Sequence, residues 1–148
     1  MLEALARELQ DTYGTTVYII SKDLSKETAP EEIYAEVQAK GLQVDYLINN
    51  AGLGGQGAFA ERSMEIDMNL IAVNIISLTK MTKLFLPDFL KRKSGRILNV
   101  SSTAALMPGP LQAVYYASKA YVTSLSNAIW QEIQGSGVTM TLLMPGGM

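Results

Sequence analysis

Apolar positions at helical spacing predict four helices along the chain. Gly14 can supply the left-handed cap that ends the first helix. Pro30 lies in the first turn of the second helix, within the capping-box sequence Thr28-Ala29-Pro30-Glu31, and Gly41 is expected to end this helix. Pro87 is expected to kink or end the third. The predicted helices cover residues 2–13, 29–40, about 64–92, and 112–134.

Short apolar runs between these helices predict strands. The runs are Thr16–Ile20, Val44–Ile48, Arg96–Val100 and Val138–Met144. Continuous apolar strands that alternate with helices indicate a parallel sheet covered on both faces. We therefore predict an α/β fold with a doubly wound, Rossmann-like parallel sheet. Glycine or proline clusters predict the loops at Gly52–Gly57, Pro108-Gly109-Pro110 and Pro145-Gly146-Gly147.

The last predicted helix carries a clear apolar stripe. We expect its buried side chains to be Val114, Tyr121, Val122, Leu125, Ala128, Ile129 and Ile133.

The order of the elements predicts an incomplete domain. The chain opens on a helix and stops just after a strand and a turn, whereas a doubly wound domain normally begins with a strand and ends with a helix. We expect residues 1–148 to form one partial domain of this kind.

The amino-acid composition excludes several kinds of metal site and catalytic site. The chain of 148 residues has a net charge of −2 and contains no cysteine and no histidine. Disulfides, thiolate zinc sites, histidine-ligated metals and a Ser-His-Asp triad are therefore excluded, and we predict no metal site. A general acid must come from Tyr, Lys, Asp or Glu.

Charge and hydropathy also limit the partners and the location. The near-neutral charge gives no electrostatic footprint for nucleic acid. The charged, helix-periodic start does not resemble a signal peptide. Asn74 interrupts the run Leu70–Leu78, so no apolar stretch approaches the length of a membrane span. We expect a cytoplasmic protein that binds neither nucleic acid nor membrane.

Tyr115 and Lys119 form a Tyr-x-x-x-Lys pair within the fourth predicted helix. Residues one helical turn apart share a face, and an ammonium at that distance favours a phenolate. Such a phenol is suited to protonating a carbonyl oxygen. The pair alone is weak evidence, because Tyr18 and Lys22 have the same spacing in a segment predicted to be a strand, where they could not cooperate.

Further polar residues lie where ligands bind in open parallel sheets. Ser102 follows one predicted strand, and Asn49-Asn50-Ala51-Gly52 ends another at the same edge. Asn74 lies inside a helix, where asparagine has no propensity advantage. Each feature alone could be a polar strand end, a turn or a solvent-facing residue.

Together these motifs resemble the short-chain dehydrogenase/reductase family, and its common short subfamily in particular. The resemblance rests on Asn49-Asn50-Ala51-Gly52, Asn74, Ser102, Tyr115-x-x-x-Lys119 and Pro145-Gly146, and extends from about residue 15 onward. It implies that the chain holds about the third to sixth strands of the family domain. The glycine-rich phosphate loop before Leu2 and the region after the sixth strand would then be missing.

The resemblance implies a role for each motif residue. Tyr115 would be the catalytic acid/base, Lys119 would assist it and bind the nicotinamide ribose, and Ser102 would polarise the substrate carbonyl. Asn74 would hold a water of the proton relay. The remaining cofactor contacts would come from Asp23, Asn50, Ala51, Gly52, Pro145 and Gly146.

The implied activity is an NAD(P)-dependent oxidoreductase that moves hydride between a nicotinamide and a carbonyl or secondary alcohol. NADP is slightly preferred over NAD by resemblance. The residues from Ala104 to Ala113, with Leu53 and Gly54, suggest an apolar pocket for a small-molecule substrate. The predicted helices over 64–92 and 112–134 resemble the pair through which the family forms homodimers or homotetramers.

One competing motif is rejected, and one alternative function remains. Gly52-Leu53-Gly54-Gly55-Gln56-Gly57 matches the G-x-G-x-x-G fingerprint, but no helix is predicted to open within it, so we interpret it as a loop near the nicotinamide. A chain without the phosphate loop could also be a non-catalytic remnant that mainly associates with itself. Without the first two strands of the family domain, the Thr16–Ile20 strand would either pair directly with Val44–Ile48 or belong to a loosely attached unit.

Overall fold

A computed structural model describes residues 1–146, so the predicted turn residue Gly147 lies outside the described residues. The helices are α1 (Leu2–Tyr13), α2 (Ala29–Ala39), α3 (Met64–Ile71), α4 (Leu78–Arg92) and α5 (Ala113–Glu132), and the strands are β1 (Tyr46–Asn49), β2 (Gly95–Val100) and β3 (Val138–Leu143). A π-helical segment, Ala72–Ser77, joins α3 to α4, and a 3₁₀ turn, Thr103–Leu106, follows β2.

The strands form one parallel sheet in the order β1-β2-β3. Tyr46 pairs with Arg96 at the start of β1, and Val100 pairs with Leu143 at the end of β2. Helices connect the strands, which is the parallel α/β arrangement that the sequence predicts. Because all strands run the same way, their carboxyl ends share one edge of the sheet, and the site is built there.

The core lies between the sheet and the helices on one of its faces. Leu47, Ile97 and Met140 point from the strands toward Phe85 and Phe89 of α4. Phe89 is fully buried. Burial of a side chain of this size contributes about 1.5–3 kcal/mol.

The opposite face of the sheet differs from the prediction. Tyr46 and Ile48 alternate with the buried residues of β1 and are 63% and 59% exposed. The expected cover on both faces is therefore present on one face only within residues 1–146.

The predicted strand over Thr16–Ile20 is wrong. These residues are irregular, and Tyr18 is 56% exposed. A strand needs a neighbour for its backbone hydrogen bonds, and among residues 1–146 β1 pairs with β2 alone. Direct pairing with the residues of β1 is therefore also wrong. In α1 only Ala6 is buried, which agrees with the alternative of a loosely attached unit.

The long predicted helix is present from Met64 to Arg92, and Pro87 does not end it. By length and mean hydropathy this helix could cross a membrane, although core helices of soluble proteins have the same properties. Its side chains Leu70, Phe85 and Phe89 are buried within the domain.

The buried face of α5 is more polar than predicted. Val122 and Ile133 are buried as expected, whereas Tyr121 and Ala128 of the predicted stripe are exposed. Ser118 and Ser126 are buried beside Val122. The apolar pattern could not reveal them, because each hydroxyl is accommodated through hydrogen bonds to side chains of other elements.

Candidate active site

A buried chain of polar side chains ties the strands to the helices just before the site. Asn49 Nδ2 donates to Asn99 Oδ1 at 2.8 Å and lies 3.1 Å from Thr82 Oγ1. Asn99 Nδ2 in turn donates to Ser126 Oγ at 2.9 Å. These bonds link β1, β2, α4 and α5, and so fix the position of the strand ends. Sequence reasoning missed this network, although the asparagines in the apolar strands β1 and β2 were the available signal.

Asn74 lies in the π-helical segment and is 1% exposed. Its Oδ1 accepts from the Leu53 N–H at 2.7 Å, and its Nδ2 donates to the Leu53 carbonyl at 2.9 Å. Nδ2 also lies 3.0 Å from Ser118 Oγ. The amide thus holds the glycine loop, defined here as Gly52–Gly57, against the helix.

Lys119 brings its amine to the same place. Its Nζ donates to the Val100 carbonyl at 3.0 Å, at the end of β2. A Cβ at Gly52 would lie 3.5 Å from Lys119 Nζ and 3.5 Å from Asn74 Oδ1. Burial disfavours the charged form and lowers the pKa of Lys119 below the ordinary value of 10.5.

Tyr115 completes this group from the first turn of α5. Lys119 Nζ lies 5.9 Å from the centre of the Tyr115 ring. The ring also approaches the glycine loop, because a Cβ at Gly54 would lie 4.0 Å from its Cδ2 atom. The fold therefore brings Tyr115, Lys119 and Asn74 together around Gly52 and Gly54.

Ser102 lies at the end of β2, where its Oγ accepts from the Ala104 N–H at 3.1 Å and caps the 3₁₀ turn. Ser101 points into the core, as strand alternation predicts, and its hydroxyl donates to the Lys119 carbonyl at 3.0 Å. The Pro145 carbonyl accepts from the Thr103 N–H at 3.1 Å. Ser102 and Pro145 thus lie at the same edge of the sheet.

The other residues predicted to contact a cofactor form an open edge. Asp23 Oδ1 accepts from Ser25 Oγ at 2.7 Å and from its N–H at 2.9 Å, and these bonds lower the pKa of the carboxyl group. The next residue, Leu24, lines a cavity of about 100 Å³ together with Asn50 and Ala51. Gly146 is exposed, and within residues 1–146 no atom beyond its chain neighbours lies within 4 Å of the place its Cβ would take.

The sequence matches the short chain dehydrogenase family over residues 1–148. The chain belongs to this family.

Similar proteins agree with this assignment. The chain is 39% identical to human (Homo sapiens) 17-beta-hydroxysteroid dehydrogenase type 3, with 97% of the chain and 46% of that protein covered. It is 35% identical to the NADP-dependent 3-hydroxy acid dehydrogenase YdfG of Escherichia coli, with 95% and 57% covered.

A solved short-chain dehydrogenase from Sphingobium yanoikuyae in complex with NADPH superimposes with a TM-score of 0.92 at 28% identity, covering 99% of the chain and 57% of that structure. The predicted family and fold class are thus confirmed. The chain spans about half the length of the curated relatives it matches.

In this member of the short chain dehydrogenase family, the glycine loop does not have the structure of a G-x-G-x-x-G dinucleotide-binding fingerprint. No helix opens within Gly52–Gly57, and the next helix begins at Met64. The interpretation as a loop after a strand is therefore confirmed. Among residues 1–146, no cluster of three acidic side chains could hold a metal ion.

An apolar groove of about 640 Å³ lies between the segment after β2 and the outer face of α5. Leu106 and Met107 line it as part of the predicted pocket loop, whereas Leu53 and Gly54 do not. Tyr116 packs against the loop so closely that a Cβ at Gly109 would lie 2.4 Å from the ring. The groove opens on the side of Tyr116, the neighbour of Tyr115.

Sequence reasoning also missed an ion pair beside the glycine loop. Arg62 and Asp67 are joined by two contacts of 2.7 Å, and both side chains are buried for the most part. Neither residue lies at a position that periodicity or the family motifs marked.

Proposed function

We propose that the protein containing this chain is an NAD(P)-dependent oxidoreductase that moves hydride between a nicotinamide and a carbonyl or secondary alcohol. The observation that carries this proposal is the grouping of Tyr115, Lys119 and Asn74 around the backbone of Gly52 and Gly54. Membership of the short chain dehydrogenase family supports the same reaction class.

The residues present fit a nicotinamide nucleotide. Within residues 1–146, Lys119 Nζ has one hydrogen-bond acceptor, the Val100 carbonyl, although an ammonium group has more donors to offer. A ribose hydroxyl could accept one of them. Asn50, Ala51 and Gly52 are exposed, so a ligand could approach their backbone closely. The nicotinamide supplies the hydride, while the protein supplies orientation and the proton.

We propose Tyr115 as the acid that gives its phenolic proton to the substrate oxygen, and as the base in the reverse direction. Lys119 would favour the phenolate through its positive charge. Ser102 would hold the substrate oxygen, and Asn74 would keep the glycine loop beside the reacting atoms. Asp23, Pro145 and Gly146 would lie along the nucleotide.

NADP is the preferred cofactor, and a small carbonyl compound or alcohol is the proposed substrate. An Escherichia coli relative is named as NADP-dependent, and a structural neighbour was solved with NADPH. A cytoplasmic location and a homodimer or homotetramer remain predictions.

The substitution Tyr115→Phe tests the proposal in the full-length protein. Loss of a general acid typically costs 10²–10⁴-fold in rate, so we expect turnover to fall by about that factor. Binding of NADPH, followed by nicotinamide fluorescence, should stay nearly unchanged. Tyr18→Phe is the matched control, because Tyr18 has the same spacing to a lysine but is 56% exposed in an irregular segment, and this variant should keep its activity. Unchanged turnover in Tyr115→Phe would remove this residue from the acid role.

A second candidate function is association without catalysis. It is favoured by the exposed side chains of Tyr46 and Ile48 on the open face of the sheet. Apolar groups that alternate with core residues and remain exposed are typical of surfaces that another structure covers.

A further inference from the structure

Arg62 lies flat against the glycine loop. A Cβ at Gly55 would lie 2.6 Å from both terminal nitrogens of the Arg62 guanidinium. A Cβ at Gly57 would lie 3.2 Å from Arg62 Cγ, and Gly57 has a φ of +145°. The glycines therefore allow a contact between guanidinium and backbone that side chains at these positions would block.

Asp67 fixes the guanidinium in this place. Its Oδ1 lies 2.7 Å from Arg62 Nε and 2.7 Å from Arg62 Nη2. The two side chains are 11% and 8% exposed, so water screens the pair little. Since Asp67 lies in the first turn of α3, the pair connects the loop to the start of the long helix.

A single peptide unit of the loop is held from two sides. Arg62 Nη1 donates to the Gln56 carbonyl at 3.2 Å. The N–H of the same peptide, that of Gly57, donates to the Leu111 carbonyl at 2.8 Å. Leu111 has a φ of 65°, an unfavourable region for a residue with a branched side chain, so contacts of this kind must keep it there.

We propose that Arg62, fixed by Asp67, is a positioning residue that joins the glycine loop to the segment 108–112. The loop carries Gly52 and Gly54 beside Lys119 and Tyr115, and the segment leads directly into the helix of Tyr115. The pair thus sets the spacing between the two sides of the site. Its catalytic consequence rests on the proposed oxidoreductase function.

The test uses a double variant, Arg62→Met with Asp67→Leu, in the full-length protein. Removing both charges avoids a buried unpaired ion, which would itself destabilise the fold. Arg92→Met is the matched control, since Arg92 pairs with Asp45 at the opposite edge of the sheet, 3.3 Å apart.

Amide hydrogen exchange tests whether Arg62 holds the glycine loop, and it does so without any need for catalytic activity. We expect the Gly57 amide to exchange at least about tenfold faster in the double variant, because the Gln56 carbonyl loses its partner. Amides of Ile97 and Met140 in the sheet should keep their rates, and the control should leave Gly57 unchanged. An unchanged Gly57 amide in the double variant would overturn the proposal.

Kinetics then tests the catalytic consequence. We expect kcat to fall by about 10–100-fold in the double variant, since a displacement of about 1 Å can cost that much. Arg62→Lys, which keeps the charge but not the planar fork, should recover part of the loss. Wild-type kcat in the double variant would overturn the positioning role. If the wild-type protein transfers no hydride, the proposed function fails. Hydrogen exchange at the Gly57 amide then decides by itself whether Arg62 holds the glycine loop.

Discussion

Burial of the Lys119 side chain disfavours its ammonium form and lowers its pKa below 10.5. Its Nζ donates to the Val100 carbonyl, and within residues 1–146 it forms no ion pair with a carboxylate. The folded state therefore binds this proton less tightly than the unfolded chain does. As a result, the free energy of unfolding gains a contribution from Lys119 as the pH rises from the lowered pKa toward 10.5.

The substitution Lys119→Met tests this linkage. We expect the wild-type free energy of unfolding to rise more, or fall less, than that of Lys119→Met as the pH increases over this range. Urea unfolding at a series of pH values measures the difference. Lys80→Met is the control, because Lys80 is paired with Glu31 at 2.8 Å on the surface. Parallel curves for wild type and Lys119→Met would contradict the expected desolvation of this amine.

At the scale of elements, the sequence pattern predicted the helices and loops that depend on local interactions. The helix Met64–Arg92 follows from its periodicity, and the loop Gly52–Gly57 from its glycines. The π-helical segment could not be predicted in this way, because it is accompanied by hydrogen bonds between Asn74 and Leu53, two residues that are distant in the sequence. For the same reason the apolar run Thr16–Ile20 misled us, since β-branched residues favour a strand only when a neighbouring strand is present.

The substitution Asn74→Leu tests whether this segment depends on its polar contacts. It would remove the two hydrogen bonds to the Leu53 backbone and the one to the buried Ser118 hydroxyl, and each such bond contributes about 0.5–1.5 kcal/mol. We expect the free energy of unfolding to fall by about 2–4 kcal/mol, measured by urea unfolding. Asn69→Leu, at an exposed position of α3, should change it by less than about 0.5 kcal/mol. Equal effects of the two substitutions would show that the amide has no special role.

At the scale of the whole molecule, continuous apolar strands alternating with helices predicted a sheet covered on both faces. The helices α4 and α5 cover one face, and Tyr46 and Ile48 remain exposed on the other. The sequence pattern shows which side chains favour burial, but it does not show which other part of a structure would pack against them. The family motifs predicted the residues of the site in the same way, whereas the Arg62–Asp67 pair depends on a contact that only the folded loop creates.

The open face yields a prediction for the chain of 148 residues. We expect it to self-associate, because contiguous exposed apolar groups favour burial against a second surface. Ile48→Lys should weaken that association at least about tenfold, or about 1.4 kcal/mol, as measured by sedimentation velocity over a range of concentrations. Its stability should change by less than about 0.5 kcal/mol, since the side chain is already exposed. Thr139→Lys, an exposed polar position of β3, is the control and should have a smaller effect. A monomeric wild-type chain would rule out association through this face, and would leave the oxidoreductase proposal as the stronger of the two.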